Sequence, residues 1–497
     1  MTLGDVVDAL RHLVADAPPA GLVSDRAITA IAYDSRRVVA GSVFVALKGL
    51  RADGGAFTEQ AASRGAIAVV SESAAPPDFA IPWLTVTDAR LALALLADRF
   101  FDHPSRRMPV IGVTGTNGKT TTAYLLASIL DAAGLRAGML GTVAYRIGGE
   151  DREASRTTPE SPDVQQLLNE MLQLGCKSAV MEVSSHALSL KRVDGMRFAA
   201  GIFSNLTRDH LDFHADMEAY FTAKRRLFEM LPDDAPGVIN LDDPRGASLV
   251  EICGTPITYA VNAAADVTPG QIDMTLSGLR FDVKAPKGTA HISSKLVGRP
   301  NVYNILAATA AAAALEIPFE AIETGVATLS GVPGRFEVVS QEADQVTVVV
   351  DYAHTDDALR NLLETARPLS AKRLITVFGC GGDRDRSKRP LMGMVAARLS
   401  DVVVITSDNP RSEDPGRIIE EIERGIPAGR ESSSRAPAIE SVIDRAAAIE
   451  RAVSIANAGD VVLIAGKGHE KYQQIGDRVL PFDDGEVART ALAKRQK

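Results

Sequence analysis

The run Gly112-Val113-Thr114-Gly115-Thr116-Asn117-Gly118-Lys119-Thr120-Thr121 has the residue types and spacing to hold a nucleoside triphosphate. Its glycines let backbone N–H groups close around phosphate oxygens, and a following helix N-terminus adds a favourable dipole. Lys119 would reach the terminal phosphates, and the Thr120 hydroxyl would bind Mg²⁺. Val113 stands where the first glycine of such loops is usual, so the pattern is a variant, G-x-x-G-T-x-G-K-T. A plain glycine turn would not need Lys-Thr-Thr.

Other chemistry-bearing residues follow apolar runs. Glu182 ends the run 178–183 and precedes Ser184-Ser185-His186. At the carboxyl end of a strand, one strand from the phosphate loop, it could hold Mg²⁺; a helix N-terminal acid is the alternative. The segment from Asn205 to His214 contains Asp209, His210, Asp212 and His214. Their spacing matches no tight zinc site, and Mg²⁺ prefers oxygen. One histidine at a magnesium ion or phosphate, with the others as caps or structural partners, is the expectation. Lys224-Arg225-Arg226, on a predicted helix over 217–230, reads by residue chemistry as a solvated charge run. Three later loops suit an amino acid. Gly379 to Arg389 combines glycines with cations for an anionic group. In Asp408-Asn409-Pro410-Arg411, the arginine could grip a carboxylate while Asp408 and Asn409 accept an ammonium. Gly466-Lys467-Gly468-His469-Glu470 again follows an apolar run. Ordinary loop chemistry is less expected for three such loops together.

These residues must be positioned by strands and helices. Residues 108–113 read as a buried strand, and 121–133 place Leu125, Leu126, Ile129 and Leu130 at helical spacing, with Gly134 as C-cap. Strand signals recur at 137–140, 178–183, 199–206 and 237–239. Short alternating strands over 256–297 predict an antiparallel insertion, followed by a helix over 302–315. A first unit has strand signals at 28–33, 42–47, 67–70 and 83–86 and a helix near 91–101. A third has strands at 346–351, 374–378, 402–406 and 461–464. The predicted class is therefore α/β with three domains. Residues 1–106 form a small N-terminal α/β domain, and 107–333 a central P-loop parallel-sheet domain with the insertion. A C-terminal doubly wound, Rossmann-like domain takes 334–497. The patch Glu431-Ser432-Ser433-Ser434 reads as a solvated loop.

Composition narrows the class. The chain has 497 residues, 46% hydrophobic and 24% charged, as in ordinary globular proteins. A net charge of −9 argues against a nucleic-acid or anionic-membrane surface. Three scattered cysteines make neither a disulfide framework nor a zinc pattern, which suits a reducing compartment. No secretory pattern opens the sequence, and no apolar run is long enough to span a bilayer. A cytoplasmic monomer is expected.

Taken in order, the motifs resemble those of the Mur ligases of bacterial cell-wall synthesis, across essentially the whole chain. They are Tyr33-Asp34-Ser35-Arg36, the phosphate loop, Glu182-Val183-Ser184-Ser185-His186, Arg208-Asp209-His210-Leu211-Asp212, Asn301-Val302-Tyr303-Asn304, Gly334-Arg335 and Asp351-Tyr352-Ala353-His354. Asp408-Asn409-Pro410-Arg411 looks like the signature of members that add meso-diaminopimelate; members adding L-lysine lack this arginine. The resemblance implies ATP, two Mg²⁺ ions, an acyl phosphate, and UDP-N-acetylmuramoyl-L-alanyl-D-glutamate as acceptor. Catalytic roles fall on Lys119, Glu182, His210 and Lys224. The metal would meet Thr120, Glu182, His210 and a CO₂-derived carbamate on Lys224. Gly115, Thr116, Asn117, Gly118, Lys119, Thr120, Thr121, Asn304, Arg335 and Asp351 would bind ATP. For the muramyl nucleotide the resemblance implies Tyr33, Ser35, Leu50, Arg51, Ala52, Thr157, Thr158, Ser184, Leu190 and Arg192. Arg384, Asp408, Asn409, Pro410, Arg411, Gly466 and Glu470 would take diaminopimelate. Leu190, Arg156 and Asp356 depart from the usual glutamine, asparagine and proline. Competing readings are an L-lysine-adding ligase, a folylpolyglutamate synthase and a non-catalytic P-loop switch; the guanine-selecting Asn-Lys-x-Asp motif is absent.

Overall fold

The computed structural model describes residues 1–15, 24–49, 52–370, 372–427 and 437–495. Leu50, Arg51 and the serine patch 431–434 lie outside the described residues. Near the N-terminus, Thr2 and Asp5 form a reciprocal capping box on the helix Leu3–Leu10, which sequence patterning did not reveal. Four short parallel strands follow in simple order: β1 (Ala30–Ala32), β2 (Ser42–Ala46), β3 (Ala68–Ser71) and β4 (Trp83–Thr85). The helix Ala89–Phe100, capped by Asp88, packs its buried Leu93 and Leu96 on this sheet.

The second sheet has eight strands: β5 (Val110–Thr114), β6 (Ala137–Leu140), β7 (Ala144–Ile147), β8 (Glu150–Glu153), β9 (Ser178–Glu182), β10 (Ala200–Phe203), β11 (Pro236–Asn240) and β12 (Thr255–Tyr259). Their spatial order is β12-β11-β10-β5-β9-β6-β7-β8, parallel as far as β6 and antiparallel at the β6–β7 and β7–β8 pairings. The β7–β8 hairpin escaped the sequence reading because Glu150-Asp151-Arg152-Glu153 is exposed and charged throughout. A further correction concerns β12. It falls almost wholly inside the stretch expected to be antiparallel, yet it pairs parallel with β11. The antiparallel insertion proper is β13 (Thr268–Pro269), β14 (Asp273–Thr275), β15 (Gly278–Ala285) and β16 (Gly288–Ser294).

Because β5 is flanked by β10 and β9, its loop opens where the strand order reverses, the ligand crevice of such sheets. The helix Lys119–Ala132 follows at once, and Gly134 takes φ +75° just past its end. It lies against the helices Arg299–Ala314 and Phe319–Thr328 so closely that a side chain at Gly325 would meet the Ile129 backbone at 2.4 Å. The alanines 307–313 are buried there, small enough to admit that approach.

The third main sheet contains β17 (Glu337–Val338), β18 (Thr347–Asp351), β19 (Leu374–Phe378), β20 (Val402–Ile405), β21 (Ala438–Ser441) and β22 (Val461–Ala465). Its order is β17-β18-β22-β19-β20-β21, parallel apart from β17. Apolar residues cover both faces, the doubly wound arrangement. A hairpin, β23 (Tyr472–Ile475) and β24 (Arg478–Pro481), stands beside its carboxyl edge. No helix among the described residues is long and apolar enough to cross a membrane.

Candidate active site

The phosphate loop is held open by two glycines in conformations that other residues resist. Gly115 has φ +146°, and a Cβ there would lie 1.9 Å from Ser204 Oγ; at Gly118, φ +90°, it would lie 2.4 Å from Asn304 Oδ1. Asn205, just past β10, accepts from Thr116 N–H on its carbonyl and from Asn117 N–H on its side-chain oxygen, both at 2.9 Å. Ser204 Oγ donates to Asn117 O at 2.6 Å. Lys119 Nζ turns to the carbonyls of Gly115 and Thr116, at 2.8 and 2.7 Å, and burial lowers its pKa.

Strand register then places the acid. Val113 pairs with Glu182 across β5 and β9, so the carboxylate meets the first turn of the loop's helix. Thr120 Oγ1 donates to Glu182 Oε2 at 3.0 Å and accepts from Arg335 Nη2 at 3.3 Å. Thr142 N–H donates to Glu182 Oε1 at 2.8 Å, and the Thr142 hydroxyl donates to Oε2 at 3.0 Å. Thr121 is buried one residue on. Magnesium at nucleotide sites takes one or two carboxylates plus substrate phosphates rather than an all-protein cage. The hard oxygens of Thr120 and Glu182 fit that demand. Among the described residues no group of three or more His, Cys, Asp or Glu side chains forms such a cage.

His210, at φ +55°, lies with Nε2 3.4 Å from Asp209 Oδ2 and edge-on to His186. Burial outweighs the pull of Asp209 and lowers its pKa to about 4, so the ring is neutral at pH 7. His214 instead meets Ser185 Oγ at 3.0 Å. The charge-run reading of residues 224–226 fails for its first member. Arg225 faces out and pairs with Glu229, whereas Lys224 is 1% exposed. Lys224 Nζ donates to Gly115 O at 2.7 Å and sits 4.4 Å from the Tyr220 ring centre. Burial, reinforced by the Lys119 charge, holds its pKa well below the ordinary lysine value.

Beside Gly118 of the phosphate loop, Asn304 lies between Thr122 Oγ1 (3.4 Å) and Asn301 (2.9 Å). The Arg335 guanidinium stacks 4.6 Å from the Tyr352 ring centre, and Asp351 accepts the N–H groups of Phe336 and Ala353.

A cleft of about 360 Å³ runs between the first unit and the second, walled by Tyr33, Arg37, Tyr145, Arg156, Glu160 and Asp163 among others. Tyr33 donates to Asp163 at 2.6 Å, and Ser35 to Gln60 at 2.6 Å. Ala52 accepts from Gly49 N–H. Deeper in, Thr158 Oγ1 donates to Glu182 O at 2.7 Å and accepts from Ser184 N–H; Thr157 faces Thr142 at 3.0 Å. Arg192 donates to Thr158 O and pairs with Glu160, which Arg156 also engages. Ser184 caps the helix Ser185–Ser189, and Leu190 ends it. Asp356 opens the helix Asp356–Ala366 at a first-turn position where proline and an acid are both favoured, which accommodates that departure.

The three loops suited to an amino acid converge at the carboxyl edges of β19, β20 and β22. Arg411, at φ +52°, donates from Nη1 to Gly382 O at 2.7 Å, and Pro410 packs on Gly382. Arg384 is exposed on the same loop, with Nη1 on Asp383 O. Asp408 and Gly466 face each other across 3.8 Å, measured from a Cβ built on the glycine. Asn409 Nδ2 donates to Glu470 Oε2 at 2.8 Å, and burial raises the Glu470 pKa. The expectation that Asn409 accepts a ligand ammonium needs correcting. Its oxygen already accepts from Lys467 Nζ at 2.8 Å and Gln474 N–H at 2.9 Å, which fills both lone pairs.

Comparison with known proteins now bears on this geometry. The family model described as Mur ligase middle domain matches residues 113–312. Mur ligase, glutamate ligase domain, matches 334–468, and Mur ligase family, catalytic domain, matches 27–101. The chain belongs to the Mur ligase family. It is 48% identical to UDP-N-acetylmuramoyl-L-alanyl-D-glutamate–2,6-diaminopimelate ligase of Solibacter usitatus, over 99% of this chain and 98% of that one. It is 48% identical to the enzyme of that name from Gloeobacter violaceus, over 94% of each. A solved structure of a ligase of that name is 34% identical, with a TM-score of 0.68, covering 95% of this chain and 96% of that one.

The fold of this Mur ligase also brings to the site residues that sequence reasoning did not single out. Thr142 has no motif of its own; only the pairing of β6 with β9 brings it to Glu182. Asn205 opened the Asn205–His214 segment without a role, and Ser204 lay only in the strand signal over 199–206. Asp357 reaches Asn117 Nδ2 at 3.3 Å, and Arg208 reaches Ser387 Oγ at 2.6 Å, joining the phosphate loop's side to the amino-acid side. Lys467, inside a quoted motif, is fully buried.

Proposed function

We propose that this Mur ligase joins meso-2,6-diaminopimelate to the D-glutamate γ-carboxylate of UDP-N-acetylmuramoyl-L-alanyl-D-glutamate, using ATP, in peptidoglycan precursor synthesis. The observation that carries the reading is Arg411 on the same loop as Asp408 and within electrostatic reach of Glu470. A guanidinium there suits a donor with a second carboxylate, and the acids suit an ammonium. The names of the relatives at 48% identity support it.

In this mechanism the γ-carboxylate attacks the γ-phosphorus of ATP, and ADP leaves. The diaminopimelate amine then attacks the acyl carbon of the acyl phosphate, and phosphate leaves. Gly115, Thr116, Asn117, Gly118 and Thr121 shape the phosphate cradle, with Lys119 and Arg335 bringing positive charge; Asn304 and Asp351 hold the nucleoside. Positioning and charge neutralisation supply most of the catalysis. Mg²⁺, held by Thr120 and Glu182 and, at a second position, near His210 and a carbamate on Lys224, would neutralise phosphate charge. An ammonium could not fill the lysine's role, and carbamylation needs the neutral amine that burial favours. Tyr33, Ser35, Ala52, Thr157, Thr158, Ser184, Leu190 and Arg192 line the muramyl nucleotide's path. We assign residues 1–106, 107–333 and 334–497 to muramyl-nucleotide, ATP and amino-acid domains, in a cytoplasmic monomer.

Phosphate release from ATP with the muramyl dipeptide nucleotide tests the reading. Release is expected with diaminopimelate and far less with L-lysine or no amino acid; equal use of lysine overturns it. Arg411→Ala should lower kcat/KM for diaminopimelate by about 1.5–3 kcal/mol, the scale of a charge-assisted hydrogen bond. Unchanged kinetics would remove the basis for the donor assignment.

A further inference from the structure

Lys467 is a fully buried cation at the amino-acid edge. Its side chain is 0% exposed, yet oxygens surround its Nζ: Asn409 Oδ1 at 2.8 Å, Tyr472 O at 2.8 Å, Asp408 Oδ1 at 3.3 Å and Glu470 Oε2 at 3.6 Å. Those four residues come from the loop after β20, the loop after β22 and the first residue of β23. The ring of Tyr472 lies 5.7 Å away as a further wall. Burying an ammonium is costly unless its donors are met, and here Asn409 Oδ1 and Tyr472 O each take a hydrogen bond.

Two consequences follow for the pocket. First, Lys467 and Gln474 N–H together occupy the Asn409 oxygen, which turns Asn409 Nδ2 toward Glu470. The amide is thereby locked, and Glu470 is aimed by it. Second, Asp408 Oδ1 is buried and receives no aligned hydrogen bond, although Lys467 Nζ lies 3.3 Å away. Asp408 and Glu470 together carry two negative charges, and Lys467 carries one positive charge between them. The net charge left matches a single ammonium.

We propose that Lys467 is a positioning residue for the amino donor: it locks Asn409, which aims Glu470, so that Asp408 and Glu470 take one α-amino-acid ammonium, while Arg411 takes the accompanying carboxylate. The inference rests on the amino-acid pocket of the proposed function and extends it to a residue that touches no reacting atom. Gly466 and Glu470 flank it in sequence, so the loop after β22 supplies both the acceptor and the cation that orients it.

The test is steady-state phosphate release by Lys467→Met in the full-length enzyme, with each substrate varied in turn. The KM for the amino donor should rise at least tenfold, with kcat changed less than threefold and the KM values for ATP and the muramyl nucleotide within twofold. A uniform fall in kcat with an unchanged donor KM overturns the proposal. Should Lys467→Met fail to fold by circular dichroism and thermal melting, Lys467→Gln, which keeps a donor for Asn409 but no charge, is read the same way. Loss of folding in both assigns the lysine a purely structural role and also overturns it. The wild-type control separates the two readings. If the wild type couples another amino acid in place of diaminopimelate, the substrate assignment falls, and Lys467 is judged on the KM of the donor actually used.

Discussion

Lys224→Ala is expected to lower kcat by about 10²–10³-fold, about 2.7–4 kcal/mol, the scale of deleting one preorganised charge-stabilising group. The lysine sits 1% exposed against Gly115 O, at the root of the phosphate loop. A bare ammonium there adds a cation beside Lys119 and cannot bind a metal; its carbamate would supply two anionic oxygens instead. Acetate or another short carboxylic acid should restore part of the activity of the alanine variant by standing where the carbamate would. Lys224→Arg should not be rescued, because a guanidinium stays protonated and does not form the carbamate. Phosphate release measured with and without added acid decides the matter, and full activity of Lys224→Ala without additive would contradict the assignment.

A comparably large effect is expected on stability from Asp484→Ala. Arg445 and Asp484 are both fully buried and joined by two hydrogen bonds of 2.7 Å, Nε to Oδ1 and Nη2 to Oδ2. Removing the carboxylate strands a guanidinium away from water, which costs about 3–5 kcal/mol. Arg445 Nη2 also donates to Ala465 O at 3.0 Å, immediately before Gly466, so the loss should be felt at the amino-acid edge. Hydrogen exchange of the β22 amides and of the helix Asp484–Arg495 should report it as faster local opening. The double variant Arg445→Met, Asp484→Leu should recover much of the stability, since a well-packed apolar pair can replace a buried ion pair. Unaltered protection in Asp484→Ala would show that the pair contributes nothing.

Local signals carried much of this fold. The strands that bear the site are buried on both faces and flanked by glycines or caps, so continuous apolar runs such as those of β5, β9, β19 and β22 were legible. Elements held by tertiary contacts alone were not. β8 is charged along its length and pairs only because β7 is beside it. β12 resembles its antiparallel neighbours in composition, and its parallel pairing depends on β11.

The same division runs through the site. The placement of Lys119 and Thr120 after a glycine loop and of Glu182 at a strand end was legible because each is written in consecutive residues whose backbone shapes it. The burial of Lys224, the locked amide of Asn409, the Thr142 bonds to Glu182 and the cation of Lys467 were decided by the tertiary structure. Each depends on which strand lies beside which and on how much water is excluded. Desolvation and hydrogen-bond saturation belong to the packed assembly, and a chain read residue by residue carries neither.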